Sequence, residues 1–95
     1  MDVPKAIMIE QKDNVATLLS GIEEGSQVQI EIGERNFTVQ AIDQIPYGHK
    51  IALKDIIKGE EVIKYGEVIG RSTDHIKEGS HVHIHNIKSL SLGNL

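Results

Sequence analysis

The chain has 95 residues and a formal net charge of −4, with no cysteine, no tryptophan, one phenylalanine and two tyrosines. This length supports one small domain over residues 1–95. The acidic balance argues against a nucleic-acid partner, which requires a basic surface, and the missing cysteines exclude disulfides, thiolate zinc sites and a cysteine nucleophile. Because the N-terminus has no signal-like apolar segment, we expect a cytoplasmic protein with no membrane partner.

The first predicted elements lie before residue 20. Residues 6–10 are apolar and β-prone, and a second apolar run covers residues 15–19 after a polar stretch. The side-chain oxygen of Asp13 or Asn14 can accept a hydrogen bond from a free N–H group in a first helical turn. The sequence therefore predicts one short N-terminal helix over residues 15–19.

The remainder of the chain has the pattern of short strands. Residues 27–32 alternate polar and apolar side chains, and residues 33–36 are typical of a hairpin turn into a strand over residues 37–42. Further strands are predicted over residues 49–53, 61–64, 67–73 and 80–85. Because turns recur about every eight to twelve residues, we expect a mostly-β fold without parallel βαβ units.

An internal repeat of the form Ile-x-x-Gly-x-x-Val occurs at residues 22–28, 56–62 and 76–82. The glycine favours a turn with positive φ, and the flanking Ile and Val are expected to pack into the core. We interpret the repeat as a structural device used three times. A direct binding role is the weaker alternative.

The segment His81-Val82-His83-Ile84-His85 interleaves three imidazoles with two apolar residues. In an extended strand the imidazoles would line one face, with alternate residues about 6.6 Å apart along the strand. Such a spacing permits two imidazoles to bind one divalent cation. The same pattern is also typical of an ordinary half-buried strand with a polar outer face, and both interpretations stay open.

Three longer motifs occur in a characteristic order. Residues 45–53 read Ile-Pro-Tyr-Gly-His-Lys-Ile-Ala-Leu, residues 63–70 read Ile-Lys-Tyr-Gly-Glu-Val-Ile-Gly, and residues 79–86 read Gly-Ser-His-Val-His-Ile-His-Asn. As a set they resemble the SAF domain of altronate and galactarate dehydratases, and they are also similar to the small subunit of sulfolactate sulfo-lyase. The resemblance covers nearly the whole chain and implies the β-clip fold, a small barrel of bent strands.

The resemblance further implies a free-standing small subunit of a sugar-acid dehydratase-like lyase. Such a subunit would assist β-elimination from a hydroxy-carboxylic acid together with a large catalytic subunit, with a divalent metal, iron(II) or manganese, shared with that partner. His49 is then the candidate catalytic residue. The candidate substrate-binding residues are His49, Lys50 and Tyr65, and the candidate metal ligands are His83 and His85. We interpret Lys64 and Arg71 as solvated surface cations.

The sequence suggests no close pair of buried carboxylates, no Ser-His-Asp arrangement and no phosphate-binding glycine loop. We therefore expect it to be inactive alone. The alternatives to the dehydratase subunit are the small subunit of a sulfolactate sulfo-lyase, a non-catalytic sugar-acid-binding module, and a structural domain that stabilises a homo-oligomer.

Overall fold

The computed structural model describes residues 3–89, which contain nine strands and no helix. The prediction of a mostly-β fold is thus confirmed. The strands are β1 (Lys5–Ile7), β2 (Val15–Leu18), β3 (Gln27–Ile32), β4 (Arg35–Gln40), β5 (Lys50–Ala52), β6 (Glu61–Lys64), β7 (Glu67–Ser72), β8 (His81–Val82) and β9 (Ile87–Ser89). No helix of this part of the chain could cross a membrane.

The strands form two sheets. The larger has the order β4-β3-β1-β2-β5-β8, and the smaller has the order β6-β7-β9. The β1–β3 pair is parallel, and the other neighbouring strands are antiparallel. The predicted hairpin is confirmed as β3–β4, with a shorter turn than expected, because Ile32 already pairs with Arg35. The strand β9 was not predicted.

Two apolar clusters fill the interior. The first lies under β1 to β4 and includes Leu18, Ile30 and Ile45, each with no exposed surface. The second lies under β6 to β9 and includes Ile56 and Val62. Because β2 and β5 contribute residues to both clusters, these two strands hold the halves of the molecule together.

The predicted N-terminal helix is wrong, because residues 15–18 form strand β2. Val15 and Thr17 are β-branched and favour extended backbone, and β2 pairs with β1 on one side and with β5 on the other. Both edges of this short segment are therefore hydrogen-bonded within a sheet. A helix would leave these sheet bonds unmade.

The two expected helix caps instead fasten turns and strands. The Asp13 carboxylate accepts hydrogen bonds from the backbone N–H groups of Ile9, Glu10 and Gly66 at 2.7–3.0 Å. The Asn14 amide accepts from Ile63 N–H and donates to the Glu61 carbonyl, which ties β2 to β6 across the sheets. Asp and Asn at these positions thus serve long-range contacts rather than a local helix.

The repeated glycine turn is confirmed, and it occurs four times rather than three. The fourth copy is Ile45-Pro46-Tyr47-Gly48-His49-Lys50-Ile51, and all four glycines have φ between 81° and 91°. In each copy the glycine N–H donates to the carbonyl of a distant residue, and the N–H of that residue donates to the carbonyl of the residue after the glycine. Gly48, for example, donates to the Leu18 carbonyl, and Leu18 N–H donates to the His49 carbonyl. The copies are bridged in pairs through Ile22 with Ile45 and Ile56 with Ile76.

Candidate functional site

Four histidines from two separate segments converge on one surface, and we call His49, His81, His83 and His85 the imidazole cluster. His49 Nδ1 lies 2.8 Å from His81 Nε2, within hydrogen-bond distance. The His49 ring stacks on the His83 ring with centroids 3.7 Å apart. The His81 and His85 centroids are 4.8 Å apart. The sequence therefore identified three of these residues as one pattern, and the fold adds His49 to them.

The pairing of β5 with β8 brings the two segments together. His49 follows the positive-φ Gly48 and directly precedes β5, in which Ile51 lies opposite His81 and Lys50 opposite Val82. The backbone N–H of His81 also donates to the Asp43 carboxylate at 2.9 Å. The cluster is thus held by sheet register and by a side-chain anchor.

The predicted strand over residues 80–85 is shorter than expected, because it ends at Val82. Asn86 ends it: its side-chain oxygen accepts from His83 N–H, and its amide donates to the His81 carbonyl. Asn readily closes turns of this kind through its side chain. Ile84, which an extended strand would place in the core, is consequently 71% exposed.

Two histidines of the imidazole cluster, His81 and His83, resist protonation. Burial, together with the neighbouring His85, His49 and His83, lowers the pKa of His81 to about 4 against the opposing effect of Asp43. Burial also lowers the pKa of His83, together with the charges of His49, Lys50 and His85. At neutral pH, His81 and His83 are therefore uncharged and have lone pairs available.

Lys50 lies beside this cluster and is only 2% exposed. Its ammonium has no hydrogen bond or ion pair with any residue from 3 to 89. Burial lowers its pKa, and Lys64 lowers it further. Thr17 is its partner across β2 and β5, and the hydroxyl of Thr17 is buried without a hydrogen bond.

Tyr65 is linked to Lys50 through Lys64, whose Nζ is 5.3 Å from the centre of the tyrosine ring and whose charge acts on Lys50. Tyr65 has a φ of 53° and Gly66 a φ of 79°, so the β6–β7 turn is of the hairpin type that usually contains Asn-Gly. Backbone contacts from both residues to Asp13 hold this strained turn. A bulky residue in this conformation is an outlier typical of functional positions.

Arg71 takes no part in the site. Its guanidinium pairs with Glu61 at 3.6 Å and donates to the Gly59 carbonyl at 3.0 Å, so it fastens the β6–β7 hairpin. Lys64 is partly buried and acts electrostatically on Lys50, and its interpretation as a solvated surface cation stays a prediction. Sequence reasoning missed Thr17 and Asn86, which only the strand register and the turn identify.

The described residues contain no group of three or more His, Asp or Glu side chains arranged to hold a metal ion. The donor set of the cluster is purely imidazole, which suits zinc, copper, iron and nickel. The Nδ1 atom of His83 is buried without a hydrogen-bond partner. A metal bound at His83 and His85 would accordingly need further ligands from outside residues 3–89.

Comparisons with known proteins agree with the resemblance of the motifs. The family model described as the altronate/galactarate dehydratase SAF domain matches residues 4–90. The chain is 43% identical to altronate dehydratase of Escherichia coli (strain K12), over 87% of the chain but 16% of that enzyme. It is 37% identical to galactarate dehydratase (L-threo-forming) of the same strain, over 78% of the chain and 13% of that enzyme.

A shorter relative matches over most of both sequences. The chain is 39% identical to (2R)-sulfolactate sulfo-lyase subunit alpha of Chromohalobacter salexigens, over 76% of the chain and 79% of that subunit. With the family model covering nearly all described residues, the chain belongs to the altronate/galactarate dehydratase SAF domain family.

Proposed function

We propose that this chain is the small subunit of a sugar-acid dehydratase-like lyase. In this role it assists β-elimination from a hydroxy-carboxylic acid in a site that a large catalytic subunit completes. The convergence of His49 with His81 and His83 is the observation that carries the proposal, because it places proton-transfer groups on one surface of a domain whose relatives are lyases.

Elimination next to a carboxylate requires a base for the α-proton, an acid for the leaving group and stabilisation of the developing negative charge. The His49–His81 pair can supply the first or the second function. If His49 donates from Nδ1 to His81, its Nε2 is a free base; if His81 donates, His49 Nε2 carries a proton and is an acid. His49 therefore holds or releases a proton at Nε2 according to the tautomer of its partner.

The proposal includes a divalent metal, iron(II) or manganese, shared between the two subunits. His83 and His85 would each offer an imidazole nitrogen, and the large subunit would contribute the other ligands. A bound cation of this kind stabilises negative charge on a substrate carboxylate. The unpartnered Nδ1 of His83 supports the assignment of that residue.

The small subunit of a sulfolactate sulfo-lyase is a second candidate, favoured by coverage. The chain spans 79% of a sulfo-lyase subunit alpha but 16% of an altronate dehydratase. The two reactions share proton removal and differ in the leaving group, which is sulfite in the sulfo-lyase and water in the dehydratase. The assay that follows distinguishes them.

In the test, the chain is combined with a large subunit. That subunit is chosen because it is similar to the part of altronate dehydratase that the chain does not cover. Dehydration of altronate and galactarate and sulfite release from sulfolactate are measured with and without this chain. We expect turnover to require the chain, and His49→Ala to lower kcat by about a hundredfold, as is usual for loss of a general acid or base. His75→Ala is the matched control, since His75 is exposed and pairs with Asp55.

Unchanged turnover in the absence of the chain would rule out a catalytic contribution. Turnover that needs the chain but is insensitive to His49→Ala would remove His49 from the mechanism and leave a structural or binding module.

A further inference from the structure

Polar groups with little exposed surface and no partner lie in and next to the imidazole cluster. Lys50 is 2% exposed and its ammonium is unpartnered within residues 3–89. The two buried side-chain atoms without a hydrogen bond in the same part of the chain are Thr17 Oγ1 and His83 Nδ1. Buried polar groups are normally paired. Lys50 Nζ is not one of these two fully buried atoms, so the stem of Lys50 is buried while its ammonium keeps some contact with solvent.

Strand register places two of these groups face to face. Thr17 on β2 and Lys50 on β5 are directly opposite in an antiparallel pair, so their side chains extend from the same side of the sheet. Directly opposite residues have Cβ atoms about 5 Å apart. A hydroxyl and an ammonium that extend from neighbouring positions on one face of a sheet can both donate to the oxygens of one planar group.

No carboxylate among residues 3–89 forms an ion pair with Lys50. Lys64 is the charged residue that acts on its pKa, and Lys50 in turn lowers the pKa of His83. The carboxylate that acts on the cluster, Asp43, is hydrogen-bonded to the backbone of His81. An uncompensated positive site with two hydrogen-bond donors is suited to a small anion.

We propose that Lys50 and Thr17 form a subsite for one carboxylate group of a small hydroxy acid, with Lys64 at its border. The inference rests on the proposed function and names the group by which this chain holds the substrate. One ammonium and one hydroxyl match a singly charged carboxylate better than a phosphate, which proteins usually surround with several donors. His83 connects the subsite to His49, because it stacks on His49 and interacts electrostatically with Lys50.

The subsite predicts a conflict between stability and binding. Removing the unpaired ammonium or hydroxyl should stabilise the chain in the absence of ligand, as is common at functional sites. Lys50→Met and Thr17→Val are suitable because each keeps most of the side-chain volume. The exposed Lys54 offers the matched control Lys54→Met.

The test is an NMR titration of the 95-residue chain at constant ionic strength. The probes are glycolate, methanesulfonate and the neutral ethylene glycol. We expect glycolate alone to produce saturable shifts at Thr17 and Lys50. The Kd for glycolate should be at least about tenfold higher in Lys50→Met, several-fold higher in Thr17→Val and unchanged in Lys54→Met. Thermal unfolding is measured in parallel, and glycolate should raise the Tm of the wild type but not of Lys50→Met.

Saturable shifts that persist in Lys50→Met would overturn the subsite, as would shifts confined to other parts of the chain. Equal binding of methanesulfonate would overturn its assignment to carboxylates. Should Lys50→Met fail to fold, Thr17→Val decides, because unchanged glycolate binding in that variant contradicts the proposal. If Lys50→Met and Thr17→Val leave turnover in the two-subunit assay intact and still dependent on His49, this inference alone is refuted. If turnover in that assay does not require the chain, the proposed function is refuted.

Discussion

His49 and His81 are 32 residues apart in the chain, yet His49 Nδ1 lies 2.8 Å from His81 Nε2. The β5–β8 register creates this pair, since Ile51 lies opposite His81 and His49 precedes β5 by one residue. One of the two nitrogens must donate a proton to the other. The two imidazoles therefore share one proton, and this hydrogen bond makes the tautomer of one ring depend on that of the other.

The lowered pKa values of His81 and His83 predict a loss of stability on mild acidification. Between pH 6.5 and about 4, an unfolded His81 binds a proton that the folded residue does not. The free energy of unfolding should consequently fall as pH decreases through this window, with His83 acting in the same direction. Urea unfolding at several pH values, together with NMR titration of the imidazole protons, measures both quantities.

Replacing His81 with Gln should make that pH dependence less steep, whereas the exposed His75→Gln should change it little. A folded His81 that titrates at or above pH 6.5 would contradict the assigned environment.

Asn86 determines the conformation of the segment that carries His83 and His85. Asn86→Ala removes both side-chain hydrogen bonds of the turn, and we expect it to cost about 2 kcal/mol because partly buried backbone groups lose their partners. Asn86→Asp keeps the acceptor for His83 N–H and loses the donor to the His81 carbonyl, so its cost should be intermediate. Chemical denaturation gives the free energies, and the ring-proton shifts of His49 report whether His83 still stacks on it.

Equal stability of Asn86→Ala and wild type would mean that the turn forms without this side chain. Its role in ending β8 would then be wrong.

Local patterns predicted most of the strands because each one carries its own signal. Alternation in residues 27–32 and the glycine turns are properties of a few neighbouring residues, and β3 and β6 lie where they were expected. The exceptions are β9, which was not predicted, and β2, where a short apolar run preceded by Asp13 and Asn14 fits a capped helix equally well. The pairing of β2 with β1 and β5 and the long-range bonds of Asn14 to β6 decide for the strand, and these are invisible in the local sequence.

The candidate site likewise contains residues that the sequence identifies and a residue pair that only the fold reveals. The motif resemblance identified His49, Lys50 and the histidines of residues 81–85 as candidates, and the structure places His49 against His81 and His83. The role proposed for Thr17 rests on its position opposite Lys50 in the β2–β5 pair, 33 positions away along the chain, and on the burial of its hydroxyl oxygen. A sequence without register information offers no signal for that pair.

Asp13 should be important for stability at low pH. Burial alone would raise its pKa, but hydrogen bonds from the backbone of Glu10, Gly66, Ile9 and Tyr65 lower it below the ordinary 3.8. Its contribution is therefore complete above pH 3.8 and is lost as pH falls below that value. Asp13→Asn should cost about 2–3 kcal/mol at pH 7, because the amide group offers fewer acceptors to these N–H groups.

The difference between wild type and Asp13→Asn should shrink when urea unfolding is repeated near pH 3. The exposed Asp74→Asn serves as control. A difference that is independent of pH would show that the charge of Asp13 is not what stabilises the two turns.

The four glycine turns have similar backbone angles but different surroundings. Substitutions at two of them therefore separate the conformational cost of a left-handed residue from the cost of a steric collision. Gly25 has a φ of 91° with open space where a Cβ would lie, whereas at Gly79, with a φ of 87°, a Cβ would collide with the Gln40 carbonyl oxygen. Gly25→Ala should thus cost only the conformational penalty of a left-handed residue, about 1–2 kcal/mol. Gly79→Ala should cost clearly more, because the Gly79 carbonyl also accepts a hydrogen bond from Ile42 N–H that the collision would displace.

Equilibrium unfolding of the two variants measures the difference directly. Because both substitutions add the same methyl group to nearly the same backbone conformation, their effects on the unfolded chain should cancel. Equal costs at the two positions would mean that the segment around Gln40 moves freely, and that the close contact between the turn before β8 and the end of β4 does not help to hold the imidazole cluster in place.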